Sequence, residues 1–175
     1  MSIHVLPLRW NGQLTRSDCL NSVCNANMDG RDLICIMPTG GGKSLTYQLP
    51  AVINPGTTIV ISPLLSLIAD QLIHLHENDI PAVMLTGAVD KATQTAITQR
   101  LVRGPTRGAG SSSNGGGASS LAGEDGREIK LVYVTPEKVS KSKGFQSVMQ
   151  KMHNSGRLGQ SASSGFGFGP FAHLC

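Results

Sequence analysis

The chain is poor in aromatic residues and contains no long apolar run. Its 175 residues include one Trp, two Tyr and four Phe, so aromatic side chains make up 4% of the composition. No segment reaches the length of a transmembrane helix, and the first ten residues lack the apolar stretch of a signal peptide. Four cysteines occur without Cys-x-x-Cys spacing, which argues against a zinc site or a disulfide framework. We therefore expect an intracellular, reduced, soluble protein with no membrane contact.

The length and the distribution of charge suit one domain with additions. A hydrophobic content of 39% supports a single core, while glycine, at 21 residues, is abundant. Residues 1–90 carry four Lys/Arg and seven Asp/Glu, a net charge of −3, whereas residues 91–175 carry eleven and four, a net charge of +7. The basic second half is compatible with a nucleic-acid partner, but charge alone does not establish one.

The most informative segment is the octapeptide Met-Pro-Thr-Gly-Gly-Gly-Lys-Ser at residues 37–44. It follows a short apolar run that predicts a buried strand and precedes a segment that can start a helix. Gly40 to Gly42 allow successive N–H groups to point at phosphate oxygens, and the helix N-terminus adds partial positive charge. Lys43 would reach the terminal phosphates, and the Ser44 hydroxyl would ligate Mg²⁺. The alternative is a glycine-rich turn with a surface lysine, which leaves the flanking strand and helix unexplained.

Predicted strands alternate with predicted helices along the chain. The apolar and β-branched runs predict strands at 33–36, 57–61, 81–85 and 131–134, and helical spacing or stop signals predict helices at 20–28, 45–50, 65–78 and 90–103. Such alternation indicates an α/β fold with a parallel sheet flanked by helices, in which ligands bind at the carboxyl ends of the strands.

Three segments fall outside this pattern. Residues 1–20 show no clear periodicity, and residues 1–22 are treated as a poorly defined N-terminal segment. Residues 104–127 are mostly Gly, Ser and Ala and predict a disordered insertion in a surface loop. Residues 159–175 form a second Gly/Ser tract with scattered Phe, which predicts a disordered tail.

These features together resemble the RecQ family of superfamily 2 DNA helicases. Four pieces carry the resemblance in order: 29–50 is similar to motif I of that family, 61–71 to motif Ia, 85–87 to the start of motif Ib and 131–138 to the segment with Thr-Pro-Glu. The resemblance covers roughly residues 23–103 and 129–158. It implies that residues 23–158 are part of a RecA-like, P-loop ATP-binding lobe.

The resemblance also implies an activity and its sites. The family's members are 3′-to-5′ DNA helicases that use ATP and Mg²⁺ to move along single-stranded DNA and unwind duplexes in recombination and repair. The resemblance therefore implies single-stranded or forked DNA as the partner, and a location in the nucleus of a eukaryote or otherwise the cytoplasm. Residues implied around the triphosphate and Mg²⁺ are Pro38, Thr39, Gly40, Gly41, Gly42, Lys43 (catalytic) and Ser44 (metal). Residues implied at the DNA backbone are Ser62, Pro63, Leu64, Thr86, Gly87, Thr135, Pro136 and Glu137. The simpler interpretation of Ser62-Pro63 and Thr135-Pro136 is strand termination by proline.

The chain departs from the family in three respects. Leu20 occupies the position of the glutamine that reads adenine, and no Asp-Glu-Ala-His box follows Leu158. That box supplies the carboxylates that position Mg²⁺ and activate water. A second motor lobe is also missing, so we expect a truncated chain that does not unwind DNA alone, with residues 159–175 arising from a lost reading frame or an unspliced intron. A noncatalytic ATP/DNA-binding module and a P-loop transferase remain alternatives.

Overall fold

The fold is seen in a computed structural model, which describes residues 4–6, 16–30, 32–35, 37, 40–105 and 127–163. The strands are β1 (His4–Leu6), β2 (Leu33–Cys35), β3 (Thr57–Ile61), β4 (Ala82–Leu85), β5 (Leu131–Val134) and β6 (Leu158–Ser163). The helices are α1 (Arg16–Met28), α2 (Leu45–Ile53), α3 (Leu65–Glu77), α4 (Lys91–Arg103), α5 (Pro136–Lys141) and α6 (Lys143–Asn154). Within these ranges, no helix has the length and apolar character needed to cross a membrane.

The main sheet has four parallel strands in the order β4-β5-β3-β6. The registers of β4 and β3 on β5 bring the last residues of three strands together: Leu85 and Ile61 both pair with Val134. β1 and β2 form a parallel pair, with Val5 opposite Ile34. Parallel strands need crossover connections, which the helices between β3, β4 and β5 provide.

Apolar side chains cover both faces of the sheet. Alternate residues of β5 point to opposite sides, so Leu131 and Tyr133 belong to one core and Val132 and Val134 to the other. The first core is completed by α2 and α3 and contains Tyr47, Ala51, Val60, Ile68, Leu72, Leu75 and Ala82. The second is completed by α4 and α6 and contains Ile59, Val83, Leu85, Ile97, Leu101, Ile129, Phe145 and Met152. Burial on both sides explains why these strands are apolar at almost every position.

The predicted fold class is confirmed: this is an α/β fold with a parallel sheet flanked by helices, as in a partial RecA-like lobe. The predicted strands 57–61 and 131–134 match β3 and β5 at both ends. α2 was expected to close at Pro50 or shortly after, and it ends at Ile53, where the Asn54 N–H donates to the Pro50 carbonyl over 2.9 Å. Most of the predicted insertion, residues 106–126, lies outside the described residues.

The prediction that a disordered tail begins at residue 159 is wrong for residues 159–163, which belong to β6. β6 pairs with β3 from Thr57 opposite Leu158 to Ile61 opposite Ser163, with one extra residue on β6 after Leu158. Sequence patterns missed this strand because its residues, Leu-Gly-Gln-Ser-Ala-Ser, are small and polar. The pairing satisfies backbone groups of β3 that would otherwise be left without partners. Residues 164–175 lie outside the described part.

The junction between β3 and β6 depends on a glycine. Gly56 has φ +92°, and a β-carbon there would lie 2.9 Å from the Arg157 carbonyl oxygen. The same carbonyl accepts a hydrogen bond of 2.9 Å from the Thr57 N–H. A side chain at position 56 would therefore push the start of β6 away from β3.

We predict that Gly56→Ala destabilises the fold by about 1–3 kcal/mol, because it adds backbone strain and a contact with β6. Urea unfolding followed by circular dichroism measures the change. Gly87→Ala is the matched control, since no atom lies within 4 Å of a β-carbon there. Equal stability of the two variants would contradict the role assigned to Gly56.

Candidate functional site

The glycine loop between β2 and α2 turns on two glycines with positive φ. Gly40 and Gly42 adopt φ of +76° and +91°, and a β-carbon at either would meet no atom within 4 Å. The Leu45 N–H donates to the Gly42 carbonyl over 3.0 Å, which closes the turn into α2. Positive φ explains why glycine occupies these positions, because other residues rarely adopt it. The predicted residues Pro38 and Thr39 lie outside the described residues.

Lys43 and Ser44 lie where this loop enters the helix. The Lys43 amine donates to the Met37 carbonyl over 3.1 Å, so the side chain crosses the loop. Ser44 is the N-cap of α2, yet its hydroxyl makes no capping hydrogen bond. Thr46 instead donates to the Lys43 carbonyl over 2.6 Å. Lys43 and Ser44 are thus consecutive residues at the junction of the loop and α2.

These residues fit a polyphosphate better than they fit a metal ion alone. A cationic amine, a glycine turn and a helix N-terminus are the elements that stabilise phosphate oxygens. Within the described part of the chain, no group of three or more His, Cys, Asp or Glu residues could hold a metal ion. A divalent cation at Ser44 would take its further ligands from water and from phosphate oxygens.

The predicted DNA-contact residues lie together at one edge of the sheet. Ser62 follows β3, Thr86 follows β4 and Thr135 follows β5, and these strands are parallel neighbours. The Ser62 N–H donates to the Val134 carbonyl over 3.0 Å, which ties the ends of β3 and β5 together. The three sequence-distant segments thus form one continuous surface, called here the strand-end surface.

Exposure differs among the residues of the strand-end surface. The side chains of Ser62 and Thr86 are 2% and 0% exposed, so they lie below the surface. Pro63, Leu64, Gly87 and Glu137 are exposed, and Thr135 and Pro136 are half-buried. The Ser62 hydroxyl is buried and has no hydrogen-bond partner among the described residues. Thr135 is the N-cap of α5, and its hydroxyl makes no capping bond.

Sequence reasoning missed the side chains that hold the loops of the strand-end surface in place. Gln94, on α4, donates to the carbonyls of Thr86 and Val89 over 3.1 and 2.6 Å. Its amide oxygen accepts a hydrogen bond from the Lys138 amine, on α5. Gln94 therefore joins the loop after β4 to the helix after β5. Only the proximity of the helix to both loops reveals this, so no sequence motif predicts it.

The same loop is closed by a helix cap. Asp90 is the N-cap of α4, and its carboxylate accepts a hydrogen bond of 2.8 Å from the Thr93 N–H. Hydrogen bonding from Thr93 lowers the pKa of Asp90 below its ordinary value, so the cap is ionised at neutral pH. The cap fixes the start of α4 and thereby the position of Gln94.

A second set of side chains connects the glycine-loop helix to the sheet. Gln48 lies one turn after Ser44 on α2 and lines a groove of about 430 Å³ between α2 and α3. Its amide nitrogen donates to the Gln71 side-chain oxygen over 2.6 Å and to the Tyr133 hydroxyl over 3.3 Å. Tyr133 is 1% exposed, and its pKa is raised far above the ordinary value. Burial is the main cause, and the electrostatic interaction with the neighbouring Tyr47 adds to it. The phenol therefore stays neutral at any physiological pH.

The strand beside β3 has no acidic side chain. β6 lies where the resemblance predicts the strand with Asp-Glu-Ala-His, but it reads Leu-Gly-Gln-Ser-Ala-Ser. The sheet position is thus filled, while the carboxylates expected there are not supplied by this strand.

A parallel sheet covered on both faces, with a glycine loop that enters a helix through Lys-Ser, defines a partial RecA-like lobe of the P-loop class. A model of the DEAD/DEAH box helicase family matches residues 20–155. The chain belongs to the DEAD/DEAH box helicase family, and its sequence relationships are those of a RecQ-type helicase.

Several curated proteins support this membership. ATP-dependent DNA helicase Q-like 2 of Arabidopsis thaliana is 46% identical over 136 residues, which are 78% of this chain and 16% of that protein. ATP-dependent DNA helicase Q1 of Rattus norvegicus is 39% identical over 134 residues, 77% of this chain and 18% of that protein. RecQ-like DNA helicase BLM of Xenopus laevis is 43% identical over 129 residues, which are 74% of this chain and 8% of that protein. The chain thus spans less than a fifth of the length of each of these relatives.

We predict that Gln94→Leu loosens the loop after β4, because it removes two hydrogen bonds to backbone carbonyls. Amide hydrogen exchange across residues 86–90 should accelerate roughly 5- to 100-fold, from a net loss of about 0.5–1.5 kcal/mol per hydrogen bond. Gln99→Leu, an exposed glutamine on the same helix, is the control. Unchanged exchange in Gln94→Leu would show that other contacts hold the loop.

Proposed function

We propose that this chain is the nucleotide-binding part of the motor of a RecQ-type DNA helicase. In this proposal the glycine loop binds Mg-ATP, and the strand-end surface binds the backbone of single-stranded or forked DNA. The longer protein to which such a lobe belongs would use ATP hydrolysis to unwind DNA in the 3′-to-5′ direction, in recombination or repair. The names of the related proteins, which are ATP-dependent DNA helicases, support this assignment.

The observation that carries the proposal is the geometry of Gly40 to Ser44. Two left-handed glycines turn the backbone, and the Lys43 amine crosses the loop to within 3.1 Å of the Met37 carbonyl oxygen. The same amine can exchange this neutral acceptor for a phosphate oxygen, which is a stronger, charge-assisted hydrogen bond. The Ser44 hydroxyl, which makes no capping bond, is available for the cation that accompanies the phosphates. Bound Mg²⁺ would neutralise phosphate charge and orient the terminal phosphate.

The strand-end surface supports a sequence-independent DNA contact. Thr135 offers a hydroxyl that α5 does not use, and Gly87 exposes its backbone. Lys138 adds a cation beside them, held by Gln94. Hydroxyls, N–H groups and one cation contact phosphates without reading bases. Because Ser62 and Thr86 are buried, they would act by shaping the backbone here rather than by touching DNA through their side chains.

A noncatalytic module that binds ATP or DNA is the second candidate. The absence of acidic residues from β6 favours it, because hydrolysis by this family's chemistry needs a carboxylate near the metal and another near the attacking water. A P-loop transferase would leave the strand-end surface without a role. Phosphate release measured with and without single-stranded DNA separates the three. DNA-stimulated release supports a working motor, no release supports a binding module, and dependence on a small acceptor supports a transferase.

We predict that Lys43→Ala weakens the binding of Mg-ATP about 10- to 100-fold, because it removes the charge that reaches the terminal phosphates. Isothermal titration calorimetry measures the affinity. Lys151→Ala, which removes an exposed lysine from α6 on the other face of the sheet, is the control. Equal ATP affinity of Lys43→Ala and the wild type would refute this placement of the triphosphate.

We also expect GTP to compete nearly as well as ATP, since Leu20 replaces the glutamine that reads adenine.

We predict that Thr135→Ala weakens single-stranded DNA binding roughly 2- to 10-fold, because it removes one hydrogen bond to a phosphate. Fluorescence anisotropy with a labelled thymidine oligonucleotide measures the affinity, which should be micromolar or weaker and should fall steeply with salt. Thr95→Ala, an exposed threonine on α4, is the control. Binding that persists in high salt would exclude a contact directed at phosphates.

A further inference from the structure

Gln48 stands between the elements that carry the two proposed binding sites. It lies one helical turn after Ser44, at the end of the glycine loop. Its two hydrogen-bond acceptors are 23 and 85 residues away in sequence: Gln71 on α3 and Tyr133 on β5. A single amide group on α2 therefore contacts two other elements, α3 and β5.

Both acceptors belong to elements that begin or end at the strand-end surface. α3 starts directly after Ser62, Pro63 and Leu64, so Gln71 sits two turns into the helix that extends from that segment. Tyr133 is two residues before Thr135 and lies in the strand that ends there. Displacement of either α3 or the end of β5 would change a hydrogen bond to Gln48.

The surroundings make this connection stiff. Tyr133 is fully buried, packs in the same apolar core as Tyr47, Ile68 and Leu72, and interacts with Tyr47 through its hydroxyl as well. The two glutamine side chains are half-buried at the wall of the groove between α2 and α3. Tyr133 lies in a low-dielectric core, where a hydroxyl left without its partner is costly, so its hydrogen bond to Gln48 resists separation of α2 from β5.

We propose that Gln48 is a positioning residue that couples nucleotide at the glycine loop to DNA at the strand-end surface, through its hydrogen bonds to Gln71 and Tyr133. The inference rests on the proposed function, because it requires both ligands. A shift of α2 on nucleotide binding changes the positions of α3 and the end of β5 through these two hydrogen bonds. DNA binding at the strand-end surface displaces α3 or β5 and thereby shifts α2. Coupling of this kind is reciprocal by thermodynamic necessity.

Two variants of the full chain test the coupling. Gln48→Met keeps the length of the side chain but removes the amide, and Tyr133→Phe removes a single hydroxyl. Gln150→Met is the matched control, since it removes a hydrogen bond of 3.0 Å between two exposed amide side chains on α6. The quantity measured is the ratio of dissociation constants for a nonhydrolysable ATP analogue without and with saturating thymidine oligonucleotide. Thermal unfolding checks that each variant is folded. If Gln48→Met does not fold, the ratio measured for Tyr133→Phe tests the coupling.

In the wild type and in Gln150→Met, we expect saturating oligonucleotide to change the dissociation constant of the analogue by a factor of about five or more. In Gln48→Met and Tyr133→Phe the ratio should approach one, while the affinity for the analogue without DNA changes little. A wild-type ratio retained by both variants would overturn the inference, as would equal loss of analogue affinity with and without DNA. A wild type that binds both ligands with a ratio of one refutes the coupling and leaves the proposed function intact. A wild type that binds neither ligand refutes the proposed function, and the inference with it.

Discussion

The hydrogen-bonded pairing of β3 with β5 is the constraint on which the rest of the structure depends. It places Ile61 opposite Val134, so the segments after both strands emerge side by side, and the Ser62 N–H extends the ladder by one more bond to Val134. The same pairing sends alternate side chains to the two cores, which fixes α2 and α3 on one face and α4 and α6 on the other. Together with the register of β4 on β5, this register positions the strand-end surface and the helices that support it.

Two helices, α4 and α2, support the segments near the proposed sites, and no sequence motif predicts this supporting role. α4 uses Gln94 to hold the backbone of the loop after β4 and to hold Lys138, while α2 uses Gln48 to connect the glycine loop to α3 and β5. The Gln94 amide both donates and accepts hydrogen bonds, whereas the Gln48 amide nitrogen donates to two acceptors, and neither side chain has a charge to desolvate. Two neutral amides thus support the segments nearest the proposed ligands, together with the ionised Asp90 cap at the start of α4.

Much of the fold was predictable because its strands are buried on both faces. Continuous apolar runs such as 57–61 and 131–134 are typical of strands in a covered parallel sheet, and α3 and α4 carry helical periodicity between clear turn residues. The glycine loop was recognised from Gly40 to Ser44, since that chemistry needs those residue types in a fixed order. β6 was missed because backbone pairing, rather than side-chain character, makes it a strand. The pairing of Gln48 with Tyr133 was missed because it joins residues far apart in sequence, and the burial of Ser62 and Thr86 was missed because it follows from the helices packed around them.

The burial of Tyr133 has a consequence at alkaline pH. A phenol whose pKa is raised in the folded state favours the fold fully at pH below its ordinary value of about 10, and this contribution declines as the pH rises above that value. Proton release from Tyr133 therefore accompanies unfolding instead of preceding it. Tyrosinate absorbance, to which Tyr133 contributes, should therefore appear together with unfolding at alkaline pH.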